Sequence, residues 1–142
     1  MAENPQDDLI HRLYQTMRAF SKTLNSSISP LGIYASEWTI LNLVHRQDGI
    51  AQADIINRLG VEPAAVSKTV SRLEKKGILY RQQQKEERGK ALFLTEKGKK
   101  LCEPLESAVE KHRLNALRGL SLNECEQLRR LMKKIESNIQ TE

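Results

Sequence analysis

The chain has 142 residues, 39% of them hydrophobic and 29% charged, with a net charge of +5 at pH 7. That length suits one ordinary domain, or a small domain with an appended assembly element. No run of about eighteen apolar residues is present, which excludes a membrane-spanning helix. The acidic start MAENPQDDLIHRL lacks the basic and apolar regions of a secretory leader, so a cytoplasmic protein is expected.

Leu9, Ile10, Leu13, Met17, Phe20 and Leu24 recur at helical spacing, with Tyr14 at the edge of the stripe, and predict a first helix over about 7–27. Pro30 and Gly32 break it. Trp38, Leu41 and Val44 mark a second helix over 35–46, ended by Gln47-Asp48-Gly49. Ile50-Ala51 reads as a short extended link. A short third helix over 54–59 turns Ile55, Ile56 and Leu59 inward and closes at Gly60.

The fourth helix starts at Glu62–Pro63, because proline suits the first helical position, where its missing N–H costs nothing. Val66, Val70 and Leu73 form its apolar face. The opposite face carries Ala64, Ser67, Lys68, Ser71, Arg72 and Lys75, the small, hydroxylic and cationic set that suits a DNA major groove. Gly77 reads as the left-handed residue that stops the helix. Two short helices on so tight a turn make a helix-turn-helix. Ile78 to Arg81 and Ala91 to Thr95 then read as two strands joined by a polar tip, a β-wing whose cations include Lys85, Arg88 and Lys90.

Charge follows the same segment. Residues 61–100 hold eleven Lys and Arg against five Glu, a net of +6, whereas the whole chain holds 23 against 18, which leaves −1 elsewhere. A local basic unit attracts polyanions and releases their counterions. On the recognition-type helix, Ser67, Lys68, Ser71 and Arg72 are the candidate base-reading residues, with Pro63 and Ala64 near thymine methyls. Lys75 and Lys76, at the C-terminal end, are the candidate phosphate contacts.

Thr95 is a good N-cap for a long helix over about 96–118, ended by Gly119. Ser121 and Glu124 form a capping box for a last helix, where Cys125, Leu128, Leu131, Met132, Ile135 and Ile139 lie at near-heptad spacing. Such long amphipathic helices beside a compact unit leave apolar surface for a partner, and a homodimer is expected. Cys102 and Cys125 lie far apart and read as packed thiols, and His11, His45 and His112 are equally scattered, so neither a metal site nor a cofactor is expected. No phosphate loop or nucleophile elbow appears, and no enzymatic activity is expected.

The chain resembles the MarR family of winged helix-turn-helix transcriptional regulators over nearly its entire length. The most specific stretches are Val66 to Gly77, similar to the family's recognition helix, and Glu86-Glu87-Arg88 followed by Leu94-Thr95-Glu96-Lys97-Gly98. The family carries Asp-x-Arg at the wing, with the arginine seven residues before the threonine. Arg88 and Thr95 keep that spacing here, while Glu86 stands in for the aspartate.

The resemblance implies a mainly α fold with a small β-wing: a winged helix-turn-helix over 34–95 and a helical dimerisation region made of 1–33 and 96–142. It implies an obligate homodimer with two recognition helices in successive major grooves and two wings reaching minor grooves, Arg88 among the inserted residues. Many such regulators repress a palindromic operator on double-stranded DNA and are relieved by a small aromatic or lipophilic effector held between the dimerisation helices and the DNA-binding lobe. By position, Tyr14, Met17, Arg18, Trp38 and Leu41 are the candidate lining, although the same apolar stripe also reads as core. The reactive cysteine of the peroxide-sensing subgroup lies in the first helix, where this chain has none. Two other readings remain at this stage, a winged-helix protein–protein adaptor and a sequence-indifferent architectural DNA binder.

Overall fold

The computed structural model describes residues 4–85 and 89–140. Helix α1 spans Pro5–Ile28. It begins before the apolar stripe does, because Asn4 caps it by accepting from the Gln6 N–H at 3.0 Å and Pro5 occupies the first turn. A 3-10 turn, Ser29–Leu31, leads to α2, Ala35–Arg46. There the Glu37 carboxylate accepts from the Tyr34 N–H at 2.9 Å, which fixes the helix start.

The segment expected to be an extended link is a strand. Ile50–Ala51 (β1) pairs antiparallel with a later strand, Ile50 opposite Leu92 and Ala51 opposite Ala91. Helices α3, Gln52–Leu59, and α4, Pro63–Lys75, follow, and Glu62 gives α4 no side-chain cap. The wing is β2, Leu79–Gln83, and β3, Lys90–Leu94, paired from Leu79–Leu94 to Gln83–Lys90. The three strands lie in the order β1-β3-β2. Between α4 and β2, Gly77 adopts φ 73, the left-handed conformation that glycine takes without a Cβ clash.

One core joins these elements. Ile28 and Ile33 meet Leu41 and Val44 of α2, Ile55 of α3, Val66, Val70 and Leu73 of α4, Leu92 of β3, and Leu105 of the next helix. That helix, α5, Glu96–Ala116, packs along α1 and starts on the predicted cap, Thr95 Oγ1 accepting from the Gly98 N–H at 3.1 Å. Cys102 sits in the core, its thiol donating to the Gly98 carbonyl, and burial followed by the Glu106 charge raises its pKa. Such a thiol ionises less readily than a free one, in keeping with a packed cysteine.

Helix α6, Leu122–Gln140, opens on the predicted capping box: the Ser121 N–H donates to Glu124 at 2.9 Å and the Glu124 N–H to Ser121 Oγ at 3.1 Å. These bonds hold the Glu124 carboxyl below its ordinary pKa, so this cap is complete above the ordinary carboxylate range and is lost as acid protonates it. None of the described residues of α6 is buried. Leu131, Met132 and Ile135 are 43%, 48% and 40% exposed, and on α1 Leu9, Tyr14 and Met17 are similarly bare.

Candidate nucleic-acid interface

The recognition-type helix α4 is held by one face. Val66, Thr69, Val70 and Leu73 are buried. Thr69 tolerates burial because its hydroxyl donates to the Ala65 carbonyl at 3.0 Å and accepts from Arg72 Nη2 at 3.1 Å. Pro63, Ala64, Lys68, Arg72 and Lys75 are exposed, and all but Pro63 lie in one stripe along the helix. Ser67 and Ser71 are half-buried at the border of that stripe, where the wing approaches.

Arg81, which the sequence reading passed over, makes that approach. It lies on β2 with only 15% of its side chain exposed. Its Nη2 donates to the Ser67 carbonyl and to Ser71 Oγ, both at 2.8 Å. Its Nε lies 3.1 Å from Glu74 Oε1, an ion pair whose angle is poor for a hydrogen bond. The signal was present in the two-residue period of a strand, which puts Arg81 on the same inward face as Leu79.

Lys76 does not join the outward cations. Its Nζ donates to Glu37 Oε1 at 2.8 Å and to the Gly32 carbonyl at 2.9 Å, and sits 5.2 Å from the centre of the Tyr34 ring. Glu37 is fully buried, and the Lys76 ammonium offsets much of the cost of placing a carboxylate there. Lys76, read from the sequence as a phosphate contact, is thus held against Glu37 and anchors the end of α4 to α2. The next residues tie the same end to α5. Lys97 Nζ donates to the Lys76 carbonyl at 2.8 Å, and the Thr95 hydroxyl lies 2.6 Å from the Gly77 carbonyl and 2.9 Å from that of Ile78.

On the wing, Lys85 and Lys90 are exposed, and the Gln84 N–H donates to the Gly89 carbonyl at 3.0 Å across the base of the tip. Arg88, with Glu86 of the wing motif, lies outside the described residues. Among the described residues the exposed cations of α4 and the wing thus belong to one assembly, and Arg81 couples its two parts.

The five candidate pocket residues are not brought together as a lining. Leu41 is fully buried and belongs to the hydrophobic core, the other reading its spacing allowed. Tyr14, Met17 and Arg18 lie on the exposed length of α1. Trp38 alone of the five borders a groove of about 290 Å³, which Asn42, Arg46, Glu106, Val109, Glu110 and Arg113 also line. Among the described residues no group of His, Cys, Asp and Glu is placed to hold a metal, and no helix is long and apolar enough to cross a membrane.

Comparison with known proteins places this arrangement. The model of the MarR family matches residues 33–88. The chain is 33% identical, over 68% of its length and 71% of the relative's, to the uncharacterised HTH-type transcriptional regulator YwoH of Bacillus subtilis. Among solved structures it is similar to a cysteine-to-serine variant of MarR from E. coli complexed with operator DNA, at 26% identity and a TM-score of 0.80 over 92% of this chain and 93% of that one. It is also similar to MepR of S. aureus in a DNA complex, at 26% identity and a TM-score of 0.78, covering 92% and 94%.

Proposed function

The chain belongs to the MarR family of transcriptional regulators, and from that membership we infer that it acts as a homodimeric repressor of a palindromic operator, relieved by a small effector. The observation that carries the reading is the cationic stripe of α4 set beside a basic wing on a lobe like those of relatives seen on DNA. Its DNA-contacting set is Pro63, Ala64, Ser67, Lys68, Ser71, Arg72 and Lys75 on α4, with Lys85, Lys90 and, beyond the described residues, Arg88 on the wing. A two-fold dimer presents two equivalent helices to one face of B-DNA, so half-sites about one helical turn apart are expected. An exposed face of lysine and arginine also argues against a protein–protein adaptor, which would bare apolar or acidic residues there.

A salt series on a selected duplex and a scrambled one tests this. Arg72→Ala is expected to reduce discrimination between the two, as loss of a base contact does. Lys75→Ala is expected to weaken both about equally and to lower the salt slope by about one unit. No change from either substitution would show that α4 stays out of the groove and overturn the reading.

The bare stripes of α1 and α6 support the dimer, because apolar surface of that extent is stable only when covered. Sedimentation at micromolar protein is expected to give twice 16.2 kDa, and Ile135→Glu to shift it toward monomer; a wild-type monomer would contradict the assembly. For the effector, the groove at Trp38 sets an indole among two arginines, Arg46 and Arg113, and two glutamates, Glu106 and Glu110, which suits a small aromatic ligand carrying polar groups. A ligand acts only through its differential affinity for two arrangements. Titration of aromatic acids is expected to change Trp38 fluorescence and release DNA together; binding without release would refute the coupling.

A further inference from the structure

We propose that Arg81 is a specificity-determining positioning residue, which turns the Ser71 hydroxyl into a hydrogen-bond donor toward DNA so that α4 reads an acceptor edge at that position. The inference rests on the reading that α4 enters the major groove.

A hydroxyl inside a helix ordinarily turns back to the carbonyl four residues earlier. Thr16, Ser26, Thr39 and Thr69 all do so here. For Ser71 that carbonyl belongs to Ser67, and Arg81 Nη2 donates to it at 2.8 Å. The same nitrogen donates to Ser71 Oγ at 2.8 Å. A guanidinium carries donors only, so the contact takes a lone pair of Oγ and the serine's own hydrogen points away from the cation. Ser71 is half-buried at the edge of the exposed stripe, which gives that hydrogen a path outward. The Glu74 carboxylate, 3.1 Å from Nε, keeps the guanidinium in place.

The chemistry then selects the base. Guanine O6 and N7, adenine N7 and thymine O4 accept a hydrogen bond in the major groove, whereas cytosine presents the N4 amino donor. An amino group approaching Oγ would find one lone pair taken by Arg81 and the hydroxyl hydrogen turned toward it, so it must compete for the single remaining lone pair beside a cation. Cytosine at the contacted position is therefore disfavoured. Because Arg81 belongs to β2, the same side chain also ties this readout to the seating of the wing.

The test uses the full-length protein and a duplex it selects from a randomised pool, with every single-base variant of that duplex measured in competition. Ser71→Ala is expected to relax discrimination at one base pair of each half-site, by roughly tenfold against cytosine, the order of one mismatched contact. Arg81→Met is expected to relax the same base pair, and the double variant to add nothing further. Uniform weakening by Arg81→Met, or relaxation at a different base pair, would overturn the proposal. If Arg81→Met does not fold, as judged by circular dichroism, Ser71→Ala still decides: a preference for cytosine at its base pair, or an equal loss on every duplex, overturns it. Should Ser71→Ala behave that way while Arg72→Ala still relaxes specificity, only this inference fails. If no α4 variant alters binding, the groove reading itself fails.

Discussion

Lys76→Met is expected to destabilise the fold by about 3 kcal/mol, although a third of that side chain is exposed. Removing one partner of a buried ion pair costs roughly 3–5 kcal/mol, because the other charge stays behind without compensation. The lower end applies, since a third of the Lys76 side chain remains in water. The stranded group is Glu37, fully buried, which would keep the Tyr34 N–H as its single partner. Glu37 Oε2 has no partner among the described residues even with Lys76 in place. Methionine preserves the stem's volume, which leaves the charge as the main variable. Urea unfolding of Lys76→Met and of Glu37→Gln/Lys76→Met checks the account, the double variant recovering most of the loss. Equal stability of wild type and Lys76→Met would remove the ion pair from the list of anchors for α4.

Gly98→Ala is expected to cost about 2–3 kcal/mol and to lower the melting temperature by several degrees at fixed protein concentration. At an open helical position this exchange stabilises by about 1 kcal/mol, so the sign is diagnostic. Here an added Cβ would meet the Ile78 carbonyl oxygen and the Ile78 side chain, with no flexible tip able to give way first. The carbonyl cannot retreat without cost, because the Thr95 N–H donates to it at 3.0 Å. Helix α5 must therefore back away from the start of β2, loosening the Thr95 and Lys97 bonds to the end of α4. A thermal melt showing an unchanged or raised midpoint would disprove the close approach.

Much of the fold was legible because local chemistry agreed with the periodic pattern. Pro63 and Gly77 bracketed α4, Thr95 marked the start of α5, and Ser121 with Glu124 marked that of α6. Strand β1 was missed as a strand, since two residues carry no period and its partner lies forty residues on. The site divided in the same way. Exposure of Lys68, Arg72 and Lys75 followed from helical geometry. The inward turn of Lys76 did not, because its reason is Glu37, a carboxylate buried 39 positions earlier in the chain. Arg81 was hidden for a related cause: a lone arginine in a strand looks like one more surface cation until the helix it clamps is in place. Leu41 could not be assigned from spacing alone, since an apolar residue at helical spacing fits a core and a pocket equally well; the structure puts it in the core.

The pairing of Ile50 with Leu92 makes a closed circuit of the lobe. Helices α3 and α4 and strand β2 all lie, in sequence, between the two paired strands, so the circuit is completed only when the far side of the wing arrives. The entropy of closing such a loop grows only slowly with its length, but it must be met before the contacts inside reward it. Helix α4 and the wing are therefore expected to gain and lose order together, and amide exchange in α4 to follow the opening of β3 rather than the fraying of a lone helix.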